Sequence, residues 1–474
     1  MPITVLGGTT SAAAAYEIAN SVRFNDGDSP SLRRTIPDDA SSTGNRNLWT
    51  FSTWLKRGVL GTQQAIFGSY QNSNYHTVIE FNTSNQLNFF DEYNGSKNGQ
   101  RTTNRVFRDC SAWYHIVCVW DKNNGTTAQK MRVYVNGTEE SSFATSTAPS
   151  NAGTLGADDQ DISIGERETV GQNFDGYFAE TFFVDGTAYA ASAFGEFDED
   201  SPTIWKPKDC SGDLTFGTNG FWLDYETSGT LGNDANGGTD YTATNLAAAD
   251  QATDTPTNNF CTMNPLQNRS SLTFSEGNNK IAGVADGYGR GGFGTMAVNT
   301  GKWYFEIKVA SSIPGNTTMG ICNTGGIQSQ SALRWNPFST GTEYSYGYRQ
   351  NGEKMTVNTS SSYGDTYTED DIISCAFDLD NNKIYFAKNG TWQDSGDPTS
   401  GGTGTGSAFD LQSGEDYMVG HHFDNGPTIE FNFGGCPAFS ISSGNADDNG
   451  YGNFEYDVPA GYYALCTKNL AEFG

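Results

Sequence analysis

Two stretches of this sequence spell the same hairpin, with Cys118 and Cys375 lying 257 positions apart. HIVCVWD (115–121) is matched by IISCAFD (372–378), and RVYVNGT (132–138) by KIYFAKNGT (383–391). Each copy is an apolar strand, a turn containing Asp and Asn, a second strand and then Asn-Gly-Thr. Asn-Gly demands positive φ and is a strong short-range signal for a tight hairpin. In the first copy Tyr114, Ile116, Cys118 and Trp120 point one way and Trp113, His115, Val117 and Val119 the other. Both rows are largely apolar, so the strand is an interior one. The pattern predicts one hairpin used twice, anchored by a small buried thiol and a bulky aromatic, in two halves of the same general class.

Further strands extend this reading. LWTFSTWLKR (48–57) alternates and ends in a basic turn. DISIGE (161–166) and FDGYFAETFFVDGT (174–187) complete the first set. The second set is KWYFEIKVA (302–310), EYSYGYRQNG (343–352), DIISCAFDLDNNKIYFAKNGTW (371–392), TIEFNFG (428–434) and GYYALC (461–466). Gly-rich turns separate them at the spacing of a β-sandwich. Composition agrees: 57 of the 474 residues are Gly and 13% are aromatic, a turn-and-strand usage too rich in aromatics for a disordered chain.

These elements divide the chain. Residues 1–20 are small and polar, and read as an N-terminal arm that could serve as an anchor. A first sandwich spans 21–205, and residues 266–474 form a second. Between them, 206–265 loses its apolar alternation around GTLGNDANGGTD and reads as a long connector. The expected fold class is all-β, two jelly-roll β-sandwich domains joined by that connector.

Charge excludes some functions. Lys plus Arg is 27 against 55 Asp plus Glu, a net charge of -28. Such a surface repels phosphate backbones, so nucleic acid is not an expected partner. The segment Met1 to Ala15 lacks a basic n-region and a long apolar run. The expectation is therefore synthesis in a cytoplasm, with no membrane insertion. The eight cysteines form no CxxC pair, and read as free structural thiols.

The first half resembles a laminin-G-like, concanavalin-type jelly roll. SVRFNDGDS (21–29), WTFSTWLKRG (49–58), WYHIVCVWD, MRVYVNG and FDGYFAETFFVDG carry that resemblance. The second half resembles a SPRY domain through GKWYFEIKV (301–309), YGYRQNG (346–352), DIISCAFDLDNNKIYFAKNG (371–390) and FNFG (431–434). Both types are concanavalin-like sandwiches, which accounts for the repeated hairpin. The combination is similar to virion proteins of tailed phages. That similarity implies a place on the virion surface, in a head or tail appendage. It also implies other virion proteins, host-surface glycans or proteins, and further copies of the chain as partners. Rival readings are a decoration protein without a ligand and a glycan hydrolase of concanavalin-like fold.

Four places in the sequence could carry chemistry. Sugars stack on exposed aromatics and bond to Asn and Asp. Tyr75, Asp91, Tyr93 and Asn94 offer this in the first half, and Trp335, Tyr344, Tyr346, Tyr348 and Arg349 in the second. The alternate tyrosines of EYSYGYR fit one core face equally well. The loop ADDQD (157–161) offers Asp158, Asp159 and Asp161 as oxygen ligands for calcium, as does NDGDS (25–29). GEFDED (195–200) is the nearest match to the paired carboxylates of a glucanase, but its setting beside Pro202 reads as a solvated acidic turn. His421 and His422 read as part of a loop between strands; a metal site wants His on matched faces, and adjacent residues on a strand point oppositely, so they make a poor metal pair. No catalytic residue is assigned, and the chain is expected to be non-enzymatic.

Overall fold

The computed structural model describes residues 16–37, 43–157, 160–167, 171–267, 272–284, 289–313, 315–324, 338, 344–357 and 359–474. Among these the protein is built almost wholly of antiparallel strands, in two sandwiches.

The first sandwich has two eight-stranded sheets. One runs Thr138–Glu139, Met131–Val135, Trp113–Asp121, Leu48–Arg57, Gly176–Asp185, Ser21–Phe24, Gln251–Ala252, with Phe221–Leu223 paired onto Gly176–Asp185. The other runs Phe143–Thr147, Ser96–Val106, Gln86–Tyr93, Tyr75–Phe81, Gln64–Asn72, Gln160–Ile164, Ser31–Ile36, Thr242–Thr244. Between them lies a core rich in aromatics. Trp49 stacks on Trp120 at 6.2 Å and Phe51 on Phe67 at 4.3 Å.

In the second sandwich a nine-stranded sheet has Lys302–Val309 between Thr428–Asn432 and Ile372–Asp378, with Lys383–Lys388 beyond. It faces a six-stranded sheet in the order Gly289–Val298, Tyr417–Asp424, Thr317–Asn323, Ser345–Arg349, Glu353–Thr356, Thr359–Ser362. Trp303, Phe305, Phe377, Phe386 and Phe431 fill the space between.

The repeated hairpin occupies the same place in both sandwiches. Cys118 pairs with Phe51 on one side and Val133 on the other. Cys375 pairs likewise with Phe305 and Phe386. The turns agree too: φ is 46° at Asn136 and Asn389, and 77° at Gly137 and Gly390. All eight cysteines are buried and free.

The expectation of a connector over 206–265 needs correction. Phe221–Leu223, Thr242–Thr244 and Gln251–Ala252 each join a sheet of the first sandwich. Phe221, Leu223, Tyr225, Leu231 and Tyr241 are part of its core. These strands are two or three residues long, too short to show alternation, which is why the sequence hides them.

The two sandwiches share a bonded, buried boundary. Arg23 of the first sandwich bonds Pro437 O at 3.1 Å and pairs with Glu276 at 2.8 Å. Tyr177 Oη donates to Gly277 O at 3.2 Å. Lys56 is 1% exposed and meets Asp254, 2% exposed, at 2.8 Å. Asp254 also accepts from the Trp113 indole at 3.1 Å.

Candidate functional site

Register decides which side chains leave the core of the first sandwich. Across the central hairpin, Ile79 faces Phe89 and Phe81 faces Leu87, and all four are buried in the core. Side chains alternate along a strand. His76, Val78 and Glu80, with their partners Glu92, Phe90 and Asn88, therefore lie on the outer face. Neighbouring strands extend that face: Lys97, Gln100 and Thr102 on one side, Tyr70 and Gly68 on the other. Gly68 is required here, because a Cβ would sit 2.4 Å from Thr77 O.

Two polar groups of side chains are fixed on this face. In the first, Glu80 accepts from Gln63 and from Asn88, both at 2.8 Å. Asn88 Oδ1 in turn accepts from Gln100 at 3.0 Å and Thr102 at 2.9 Å. The amides are thus held in one orientation, while Asn88 and Gln100 stay part-exposed. In the second, Lys97 bonds Glu92 at 2.8 Å and lies 3.2 Å from the Phe90 ring centroid. His76 Nε2 lies 2.9 Å from Arg167 Nη2. Arg167 has only donors, so His76 Nε2 accepts and the imidazole is neutral. Burial, then the Arg167 charge, push the His76 pKa down.

Electrostatics limits what this face can do. Burial alone would raise the Glu92 carboxyl, but its bond to Lys97 and that charge hold it below the ordinary range. A glycosidic general acid needs the opposite shift, so Glu92 is unsuited to that role. Solvent reaches Asn88, Gln100, Glu92, Lys97 and Tyr70 on this face, whereas His76, Glu80, Phe90 and Thr102 are buried within it and hold them in place. Such a set suits reversible bonding to a hydroxyl-rich ligand.

The residues proposed from sequence fall in different places. Tyr75 and Tyr93 pair across the hairpin end, rings edge-on at 5.3 Å, both half-buried. Asn94 is exposed in the turn with φ 53°. Those three sit at one end of the sheet, Tyr75 and Tyr93 in phase with the inward row of Ile79 and Phe89 and not with the outer row. Asp91 does not join them. It is fully buried and accepts from Thr77 and Asn98 at 2.8 Å and from Thr154 N at 2.7 Å, so it ties the strands together from within. Tyr346 and Tyr348 are also corrected: they are buried in the second core, with part-buried Tyr344 packed against it, so the core reading of EYSYGYR holds. Arg349 pairs with Glu353 and bonds Asn316. Trp335 lies outside the described residues, as do Asp158 and Asp159. Asp161 accepts from Thr35 at 2.5 Å. Among the described residues no three His, Cys, Asp or Glu side chains converge as a metal set. Glu80, Asn88 and Gln100 were missed. The signal for Glu80 and Asn88 is the alternation of VIEF and QLNFF, where the polar residue between two buried ones marks the outer row; Gln100 has no such signal.

Comparison with known proteins adds the families. Residues 33–191 match the model of the concanavalin A-like lectin/glucanases superfamily, and residues 302–434 that of the SPRY domain. The chain carries a concanavalin A-like domain and a SPRY domain. Among curated relatives, the ATP-dependent RNA helicase DDX1 of Xenopus laevis is 30% identical over 97 residues, 20% of this chain and 12% of that protein. The chain therefore spans only about an eighth of this relative's length. The solved SPRY domain of human HERC1 is 15% identical with a TM-score of 0.28, covering 38% of this chain and 99% of that one. A SAP-like pentraxin from Limulus polyphemus is 19% identical with a TM-score of 0.27, covering 37% and 80%.

Proposed function

We propose that this protein is a non-enzymatic binding protein whose first domain holds glycans on its outer sheet face. We propose further that it is carried as a surface appendage of a virion, where host-surface glycans or proteins are its targets. The observation that carries the binding reading is the ordered array from Glu80 through Asn88 to Gln100 and Thr102. Each amide there is fixed by a neighbour, so little side-chain entropy is lost when a ligand bonds to it. The array continues into exposed Thr145 and Thr147 on the adjoining strand, whose register places them opposite Thr102 and Gln100. The virion setting is supported by the pairing of the two domain types.

Glycan-array binding by the intact protein tests the reading. Binding is expected, and Asn88→Ala should weaken it about tenfold by removing one acceptor and freeing Gln100. Absence of binding across the array would favour the decoration rival. Release of reducing sugar would favour the hydrolase. Detection of the protein in the interior of an intact particle would sink the adhesion role.

A further inference from the structure

The acidic motif GEFDED lies apart from the outer face that carries Asn88 and Gln100. Gly195–Phe197 pairs with Trp205–Pro207 as a short ribbon on the other side of the first sandwich. There, residues 186–216 lie across the sheet that contains Trp113–Asp121, and seal Val117, Val119 and Phe182 beneath Ala191, Phe194 and Phe216. At the border of this cover is a surface pocket of about 360 Å³, lined by Tyr134, Glu196, Phe197, Trp205 and Lys208 among others. Its volume is in the range of small-ligand sites.

The aromatic wall is rigid for reasons that can be traced inward. Trp54 stacks on His115 at 4.7 Å, and His115 on Trp205 at 5.9 Å. Trp205 Nε1 donates to His115 Nδ1 at 3.0 Å. That fixes the tautomer, so His115 Nε2–H donates to Ser52 Oγ at 2.9 Å. Two glycines let the indole lie against the backbone: a Cβ on Gly137 would come within 2.2 Å of the ring, and one on Gly195 within 2.7 Å. Phe197 meets Trp205 edge-on at 4.9 Å and remains 43% exposed. Its exposed ring, held in place against part-buried Trp205, is available to the apolar face of a ligand. Beside it, Glu196 is 55% exposed and has Lys206 at 3.7 Å.

We infer that this pocket is a second glycan subsite, taking one pyranose ring with its C–H face on Phe197 and its hydroxyls on Glu196 and Lys208. An aromatic ring can pack on the C–H face of a pyranose, and carboxylate and ammonium groups can bond its hydroxyls; Phe197, Glu196 and Lys208 all line this pocket. The inference rests on the glycan-binding reading and adds a site on the opposite sheet. It also gives GEFDED a role in binding instead of hydrolysis.

The test uses the intact protein with methyl glucoside, methyl galactoside and N-acetylglucosamine, read by saturation-transfer NMR. At least one sugar is expected to receive saturation on its ring protons. Phe197→Ala should weaken it about tenfold and Glu196→Gln severalfold, with an unchanged melting temperature because both side chains are exposed. Asn88→Ala, on the other sheet, should leave this signal intact. Binding that responds to Asn88→Ala but not to Phe197→Ala or Glu196→Gln would overturn the pocket and spare the wider reading. No binding of any of the three sugars, together with a blank glycan array, would overturn both.

Discussion

Asn389 holds Ile372 by both backbone polar groups: Ile372 N–H donates to Asn389 Oδ1 at 2.8 Å, and Asn389 N–H donates to Ile372 O at 2.8 Å. The twin turn repeats this contact, with His115 N donating to Asn136 Oδ1 at 2.8 Å and Asn136 N to His115 O at 2.9 Å. Each Asn thus caps the start of the inner strand while its left-handed backbone turns the outer one. Each following glycine then accommodates an aromatic, Trp205 on Gly137 and Tyr456 on Gly390.

Asn389→Ala removes the side-chain acceptor and puts Ala at positive φ. The first leaves Ile372 N–H without its partner, and the second costs left-handed strain. The expected loss is about 1–3 kcal/mol in chemical denaturation. Asn389→Gly also loses the side-chain bonds, to Ile372 N–H and to Asp371 at 2.7 Å, but adopts the left-handed backbone without strain, and should lose less. Equal losses for the two variants would show that the left-handed strain contributes nothing.

These hairpins were the most legible part of the fold, because period-two apolar rows and Asn-Gly turns both survive in sequence. The strand at 48–57 and those near 302, 371 and 428 were visible for the same reason. Phe221–Leu223 and Thr242–Thr244 were not, since three residues carry no period and their burial depends on partners far along the chain. The site was read less well. Asp91 reads from sequence as a sugar-binding candidate in FFDEYNG, yet register turns it inward and its neighbours Phe90 and Glu92 outward. One residue of phase separates a ligand candidate from an internal tie.

Lys56 and Asp254 form an ion pair sealed between the strand Leu48–Arg57 and the chain leading to the SPRY domain. Removing one partner of a buried pair strands the other charge, at a cost of about 3–5 kcal/mol. Asp254→Ala is expected to lose that much, and additionally frees the Trp113 indole N–H. The double variant Lys56→Met, Asp254→Leu should recover most of it. Calorimetry of the intact chain checks both, and a double variant no better than Asp254→Ala would contradict the account.

His115 is buried and its pKa is lowered to about 3 by loss of water. His421, buried in the second core, is lowered to about 3 by burial and by neighbouring His422. A base with a depressed folded pKa binds protons more readily when unfolded. Stability from these groups is therefore full above pH 6.5 and is lost as pH falls toward about 3. The ring C–H resonances of both should stay unshifted between about pH 7 and 5, where an unfolded histidine titrates. Movement of the His115 resonance through a midpoint near 6.5 would refute the neutral, bonded tautomer on which the Trp205 wall depends, and the same movement for His421 would refute its burial as a neutral base.

Asp175 supplies the opposite slope. It is 1% exposed, and burial first, then the charge of Asp26, push its carboxyl up to about 8. Its Oδ1 has no partner among the described residues. The carboxyl is therefore held protonated in the folded protein at neutral pH, and free to ionise near 3.8 when unfolded. The unfolded chain then binds fewer protons, so stability is full below about 3.8 and falls as pH rises to about 8, where the slope ends. Asp175→Asn keeps the shape and cannot ionise. Melting curves of both proteins at about pH 5 and pH 9 should show the variant gaining on the parent as pH rises, by up to ~4 kcal/mol at 1.36 kcal/mol per unit. Parallel pH dependences would mean that Asp175 is ionised in the folded state with a compensating partner at the boundary between the two domains.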